Sequence, residues 1–220
     1  MAVSQVSLYE KLMKNTQMSR WRKIVAENLD LDYCERFLTA AESAALLNYM
    51  EDNVSYFDGR LSQVKVFGQY YSIPRQQVAF GDTGISYKFS GTVVPAQPWP
   101  QPLYDLKKKI FTARGVDYNF VLVNRYKNGE DHMGEHRDDE VELDKTVPIA
   151  SISLGQTRKF VFKHTDVRKK IRQVELIKLD LHNGSLLMMN QPTNEYWYHS
   201  IPKEKKAKNI RLNFTFRKIK

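Results

Sequence analysis

Cysteine is almost absent from this chain: Cys34 is the only one among 220 residues. An intrachain disulfide is therefore excluded, and a reducing compartment is the default. Long apolar runs are missing too, and no stretch approaches the roughly 20 residues that a membrane-spanning helix needs. The first residues lack the apolar core of a signal peptide. Cytosol or nucleus is the expected location, with no membrane partner. No internal repeat is present. Acidic charge is in the minority, 25 Asp and Glu against 34 Lys and Arg, a net charge of +9. That surplus suits a polyanionic partner, nucleic acid first, although a basic surface with no partner would give the same total. Its placement is more informative. Lys203, Lys205, Lys206 and Lys208 cluster just after His199, and Arg168, Lys169, Lys170 and Arg172 form a second group.

What is present describes a globular protein, 42% apolar and 27% charged. The length suits a single all-β domain with added helices and a core that needs no disulfide. Residues 1–30 are polar and mixed in charge, and read as a loosely attached extension. Thr39-Ala40-Ala41-Glu42 is a capping-box sequence and predicts a helix through Leu46, Leu47 and Met50. Leu103, Leu106 and Ile110 recur at helical spacing and predict a second helix, with Lys107, Lys108 and Lys109 on its wet side. Pro95 to Pro100 is too proline-rich for regular structure and reads as the connector before it.

Short strands dominate the rest. Those expected are Gln63–Phe67, Tyr70–Ile73, Gln76–Phe80, Phe120–Tyr126, Ile149–Leu154, Lys159–Lys163, Val174–Leu179, Ser185–Met189 and Ile210–Phe216. The expected fold is mainly β with N-terminal helices, a two-sheet jelly roll. Residues 1–55 form an extension with the first helix, and residues 56–220 form the main domain.

His136 and Asp138 are two apart, so extended backbone projects both side chains the same way, and His199 can supply a third ligand from elsewhere. Two histidines and a carboxylate hold non-haem iron(II) on one face and leave its other positions open. Zinc hydrolases also use His and Asp, so ligand type alone does not fix the metal. The last strand adds a second signal. Alternation puts Arg211, Asn213, Thr215 and Arg217 on one face and Leu212, Phe214 and Phe216 on the other. An ordinary solvent face is the commoner reading of such a polar row, but two arginines suit a polar pocket that grips a carboxylate. Asn124 and Tyr126 alternate in the same way just before the His136 loop.

The run Asn124-Arg125-Tyr126-Lys127-Asn128-Gly129, the segment Asp131 to Glu140, Ile149 to Gly155 and Gly184 to Asn190 with Trp197-Tyr198-His199-Ser200 resemble the AlkB family of oxidative dealkylases. The resemblance runs from about residue 60 to the C-terminus. It implies a double-stranded β-helix of the 2-oxoglutarate oxygenase type, with iron(II) held by His136, Asp138 and His199. It further implies 2-oxoglutarate contacts at Asn124, Tyr126, Arg211, Thr215 and Arg217, and O₂ as the oxidant. The implied activity is removal of N-methyl groups from 1-methyladenine and 3-methylcytosine in double-stranded DNA, with etheno adducts as an extension. Base flipping would be required. Hairpins within about 56–92 would recognise the nucleotide. Phe67, with Gly68 and Gln69, would wedge into the base stack, and Tyr87, Lys88 and Phe89 would line the base pocket opposite His136. Asp139 would accept a hydrogen bond from the base, and Arg75 would approach the complementary strand. A monomer in the nucleus is expected. The first residues show no recognisable clamp-binding motif, so association with a sliding clamp is left open. Glu204 departs from the family's pattern, which has a base there, and predicts one phosphate contact fewer. The competing readings are a relative acting on single strands or RNA, and a basic β-domain that only binds nucleic acid. The latter has no need of the arginine row.

Overall fold

The computed structural model describes residues 21–66, 68–89 and 92–220. A β-hairpin comes first, β1 (Trp21–Ala26) and β2 (Leu29–Cys34), and then α1 (Ala40–Asn53). Thr39 caps this helix: its hydroxyl accepts from Glu42 N–H, and the Glu42 carboxylate accepts from Thr39 N–H, as the capping box predicts. Two small hairpins and a longer strand follow, β3 (Gln63–Val66), β4 (Gln69–Ser72), β5 (Gln76–Gly81), β6 (Ser86–Phe89) and β7 (Thr92–Pro95). A two-residue strand, β8 (Gln97–Pro98), leads into α2 (Gln101–Arg114), which starts after Pro100 and ends at a left-handed Gly115. The remaining strands are β9 (Phe120–Tyr126), β10 (Met133–His136), β11 (Ile149–Gly155), β12 (Arg158–His164), β13 (Ile177–Leu181), β14 (Ser185–Met189), β15 (Trp197–Ile201) and β16 (Arg211–Arg217). The short helices α3 (Thr165–Arg168) and α4 (Thr193–Tyr196) interrupt them.

The strands form two main sheets. An eight-stranded sheet runs β1-β2-β14-β11-β16-β9-β5-β8, and a four-stranded sheet runs β10-β15-β12-β13. One face of the larger sheet packs on both helices. Leu212, Phe214 and Phe216 of β16 share a core with Leu46 and Met50 of α1 and with Leu103, Leu106 and Ile110 of α2. The opposite face looks toward the smaller sheet. Tyr126, Phe160, Phe162, Leu187 and Trp197 close a second core there.

Three expectations are corrected. Residues from Trp21 onward are not a loose extension, because β2 pairs with β14, Cys34 opposite Leu186 and Leu31 opposite Met189. Their charged residues hid the strands. Lys23 lies opposite Asp32 and forms ion pairs with Asp30 and Asp32, so the charges satisfy one another on one hairpin. The proline-rich connector does contain regular structure, since β8 runs parallel to β5 with Phe80 opposite Gln97. Proline is tolerated there because β8 is an edge strand. The strand expected at 174–179 starts later, at Ile177, and runs to Leu181. Among the described residues, no helix is long and apolar enough to cross a membrane.

Candidate metal centre and its arginine row

The ligand residues meet through a pairing between strands far apart in sequence. β10 and β15 are antiparallel, and His136 lies directly opposite His199. Their rings are 4.2 Å apart, edge to face. Asp138, just beyond the end of β10, brings its Oδ2 to 3.8 Å from His199 Nε2. One ligand atom from each of the three residues can be chosen so that all lie within 4.8 Å of one another.

Their protonation suits a cation. The Nδ1–H of His136 donates to Gly134 O at 3.0 Å, which leaves Nε2 as the free base. Burial pushes the His136 imidazole below its ordinary range. His199, packed against the Phe160 ring, is pushed by burial and by His136 down to about 3. Burial pushes the Asp138 carboxyl up, but the Arg217 guanidinium and the two histidines outweigh it and hold the group at about 2. At neutral pH the site therefore presents neutral imidazoles and a carboxylate, the forms that bind a metal. Asp138 Oδ2 is buried without a hydrogen-bond partner, as a ligand oxygen would be.

The polar face of β16 lies inside the protein. Arg211 is 1% exposed and Arg217 5%, values that exclude the solvent-face reading. The register sets Asn213 opposite Asn124 of β9. Arg217 Nη2 donates to Asp138 Oδ1 at 2.7 Å, and its guanidinium stands 5.3 Å from the Tyr87 ring. Arg211 Nη2 donates to Ser153 Oγ at 3.0 Å, and the group sits 5.0 Å from the Tyr126 ring. The Nε and Nη1 atoms of both arginines are buried without partners. Such unpaired cationic donors are costly unless an anion meets them. A dicarboxylate beside the metal fits this donor set.

A cavity of about 510 Å³ opens over the triad. Asn124, Thr215, Arg217, Tyr87 and Asp139 line it together with the ligands, whereas Tyr126 and Arg211 sit beyond its wall. Asp139 is half exposed and pairs with Arg137 at 3.0 Å. Gly68 takes a left-handed φ of 83° in the turn between β3 and β4, and Gln69 is exposed on β4. Phe67 and the side chains of Lys88 and Phe89 lie outside the described residues. Arg75 turns inward: its Nε donates to Asn124 Oδ1 at 2.8 Å, and Gln77 Nε2 donates to the same oxygen at 2.8 Å. Sequence reasoning did not single out Gln77, whose only signal is its place on a strand that pairs with β9. Glu140 was also missed. It lines the cavity, and burial, then the Asp138 charge, push its carboxyl up.

A jelly roll with a His-x-Asp and a distant His on facing strands, backed by inward arginines, defines an iron(II)- and 2-oxoglutarate-dependent dioxygenase. The 2OG-Fe(II) oxygenase superfamily model matches residues 30–217, and the chain belongs to that superfamily and, within it, to the AlkB family. It is 49% identical over 201 residues to bovine "DNA oxidative demethylase ALKBH2", covering 90% of this chain and 72% of the relative. The human protein of that name is 49% identical, with 90% and 77% covered. Bovine "Alpha-ketoglutarate-dependent dioxygenase alkB homolog 3" is 34% identical over 157 residues, 68% of this chain and 53% of the relative. The solved structure of OsALKBH1 matches at TM-score 0.61 and 17% identity, over 90% of this chain and all of that one, which shows the shared fold.

Proposed function

We propose that this enzyme is a nuclear DNA-repair demethylase that removes the methyl group of 1-methyladenine and 3-methylcytosine in double-stranded DNA. Relatives named as DNA oxidative demethylases, 49% identical over 90% of the chain, carry this reading. A basic surface beside the site supports it, since Lys203, Lys205, Lys206 and Lys208 are exposed just after β15.

When bound, iron(II) and 2-oxoglutarate supply an O₂-driven hydroxylation of the N-methyl carbon, coupled to release of CO₂ and succinate; the hydroxymethyl group then leaves as formaldehyde. His136, Asp138 and His199 hold the metal. Arg217 keeps Asp138 ionised and aimed inward. Arg211 does not itself line the cavity, and its unpartnered Nε and Nη1 would meet a carboxylate of the cosubstrate that reaches past the lining residues. Asn124 and Thr215 add polar contacts, and Tyr126 braces the Arg211 guanidinium. A base inside a duplex cannot reach a buried triad, so the nucleotide must be extruded into the cavity. Tyr87 and Asp139 line the cavity it would enter, with Asp139 accepting from the exocyclic amine. Lys88 and Phe89 complete the base pocket, and Phe67 with its neighbours Gly68 and Gln69 fills the space left in the stack.

The substrate form is tested by comparing methyl removal from duplex and single-stranded oligonucleotides carrying 1-methyladenine. Preference for the duplex, lost in Phe67→Ala, is expected. A single-strand preference that Phe67→Ala leaves unchanged would contradict the wedge and favour a single-strand enzyme.

A further inference from the structure

Arg158, at the start of β12, is an arginine with 1% exposure whose partners are almost all backbone. Its Nη1 donates to Asn128 O at 3.1 Å, and its Nη2 donates to Asp131 O at 2.9 Å and Pro202 O at 2.8 Å. These carbonyls belong to three segments. Asn128 lies in the turn after β9, Asp131 just precedes β10 with His136, and Pro202 directly follows β15 with His199. A single guanidinium thus ties together both strands that carry histidine ligands. Carbonyl oxygens do not neutralise it, and a buried cation needs a counter-charge. The carboxylate that stands nearest is Glu204, with Oε2 3.6 Å from Arg158 Nε.

Glu204 is itself fixed in place. Its N–H donates to Gly129 O at 2.8 Å, and Gly129 N–H donates to Ala207 O at 2.8 Å. The approach is so close that a Cβ on Gly129 would lie 1.8 Å from Glu204 O, so only glycine fits. The one acid in the basic loop is therefore held with its carboxylate facing Arg158, although its side chain is still 31% exposed.

We propose that Arg158 and Glu204 are positioning residues of the metal centre. Arg158 clamps the His136 and His199 strands in register, and Glu204 supplies the counter-charge that keeps the clamp inside. Neither touches the reacting atoms. Partners outside the ligand set commonly change metal affinity by about 10–100-fold, and Glu204, one step further out, should act near the low end of that range.

The test uses the full chain and Mn(II) as the probe, with binding measured by calorimetry and backbone hydrogen exchange followed by mass spectrometry. Glu204→Gln is expected to weaken Mn(II) binding by about tenfold. It should also speed exchange in segments 128–136 and 197–207 while the helices keep their wild-type rates. Arg158→Lys keeps the charge but loses the planar fork, and is expected to weaken Mn(II) further. Should Arg158→Lys fail to fold, Glu204→Gln alone decides. Wild-type Mn(II) affinity in Glu204→Gln would overturn the proposal. So would exchange that accelerates evenly over the whole protein without a change in Mn(II) affinity, because that marks a merely structural role.

Discussion

Arg217→Met is expected to destabilise the metal-free protein by about 3–5 kcal/mol, the range for stranding one member of a buried ion pair. Asp138 and Arg217 are both nearly inaccessible, and the contact at 2.7 Å is a charge-assisted hydrogen bond. Without the guanidinium, the burial that pushes the Asp138 carboxyl up loses its largest opponent, and only the two histidines remain against it. Its pKa is therefore expected to rise, which costs the site part of its affinity for a metal. Two comparisons isolate the cause. Mn(II) supplies a replacement counter-charge, so the loss measured by urea unfolding should shrink in the metal-loaded protein. Adding Asp138→Asn removes the stranded charge and should recover part of the stability. A loss that is the same with and without Mn(II) would contradict this account of Arg217.

Arg211→Met should behave in the opposite way. Burial lowers the Arg211 pKa to about 10, so the group is still a cation at neutral pH, yet two of its donors have no partner. Removing an unpaired buried charge costs little and can stabilise, so the substitution is expected to leave folding stability unchanged or raise it. Cosubstrate binding should suffer instead. Losing one member of a buried charge pair costs about 2–5 kcal/mol, which weakens 2-oxoglutarate affinity by roughly 30-fold or more. Calorimetric titration of 2-oxoglutarate into the Mn(II)-loaded variant checks this. Unchanged 2-oxoglutarate affinity would show that the dicarboxylate is held elsewhere, with Arg217 the next candidate.

The opposite fates of two arginines on one strand were only partly legible in the sequence. Alternation along Arg211–Arg217 is a local signal, and it placed both side chains on one face; burial of that face follows from closure of the second sheet, which no local pattern records. The strands Phe120–Tyr126 and Ser185–Met189 were legible to the residue because they are apolar and end at turn formers. β1 and β2 were not, since their charges look solvated until Lys23 is seen opposite Asp32. The triad could be named from spacing and resemblance, whereas the apposition of His136 and His199 depends on pairing between distant strands. Arg158 was invisible for a different reason: its hydrogen-bond partners are carbonyls, and these carry no side-chain signature.

The most direct measurement is turnover of a duplex carrying 1-methyladenine with iron(II), 2-oxoglutarate and O₂, with succinate and formaldehyde quantified in wild type and in His136→Ala. Both products are expected to form with demethylation in wild type, and neither to rise above background in His136→Ala. No turnover in wild type, or undiminished turnover without the His136 imidazole, would contradict this reading.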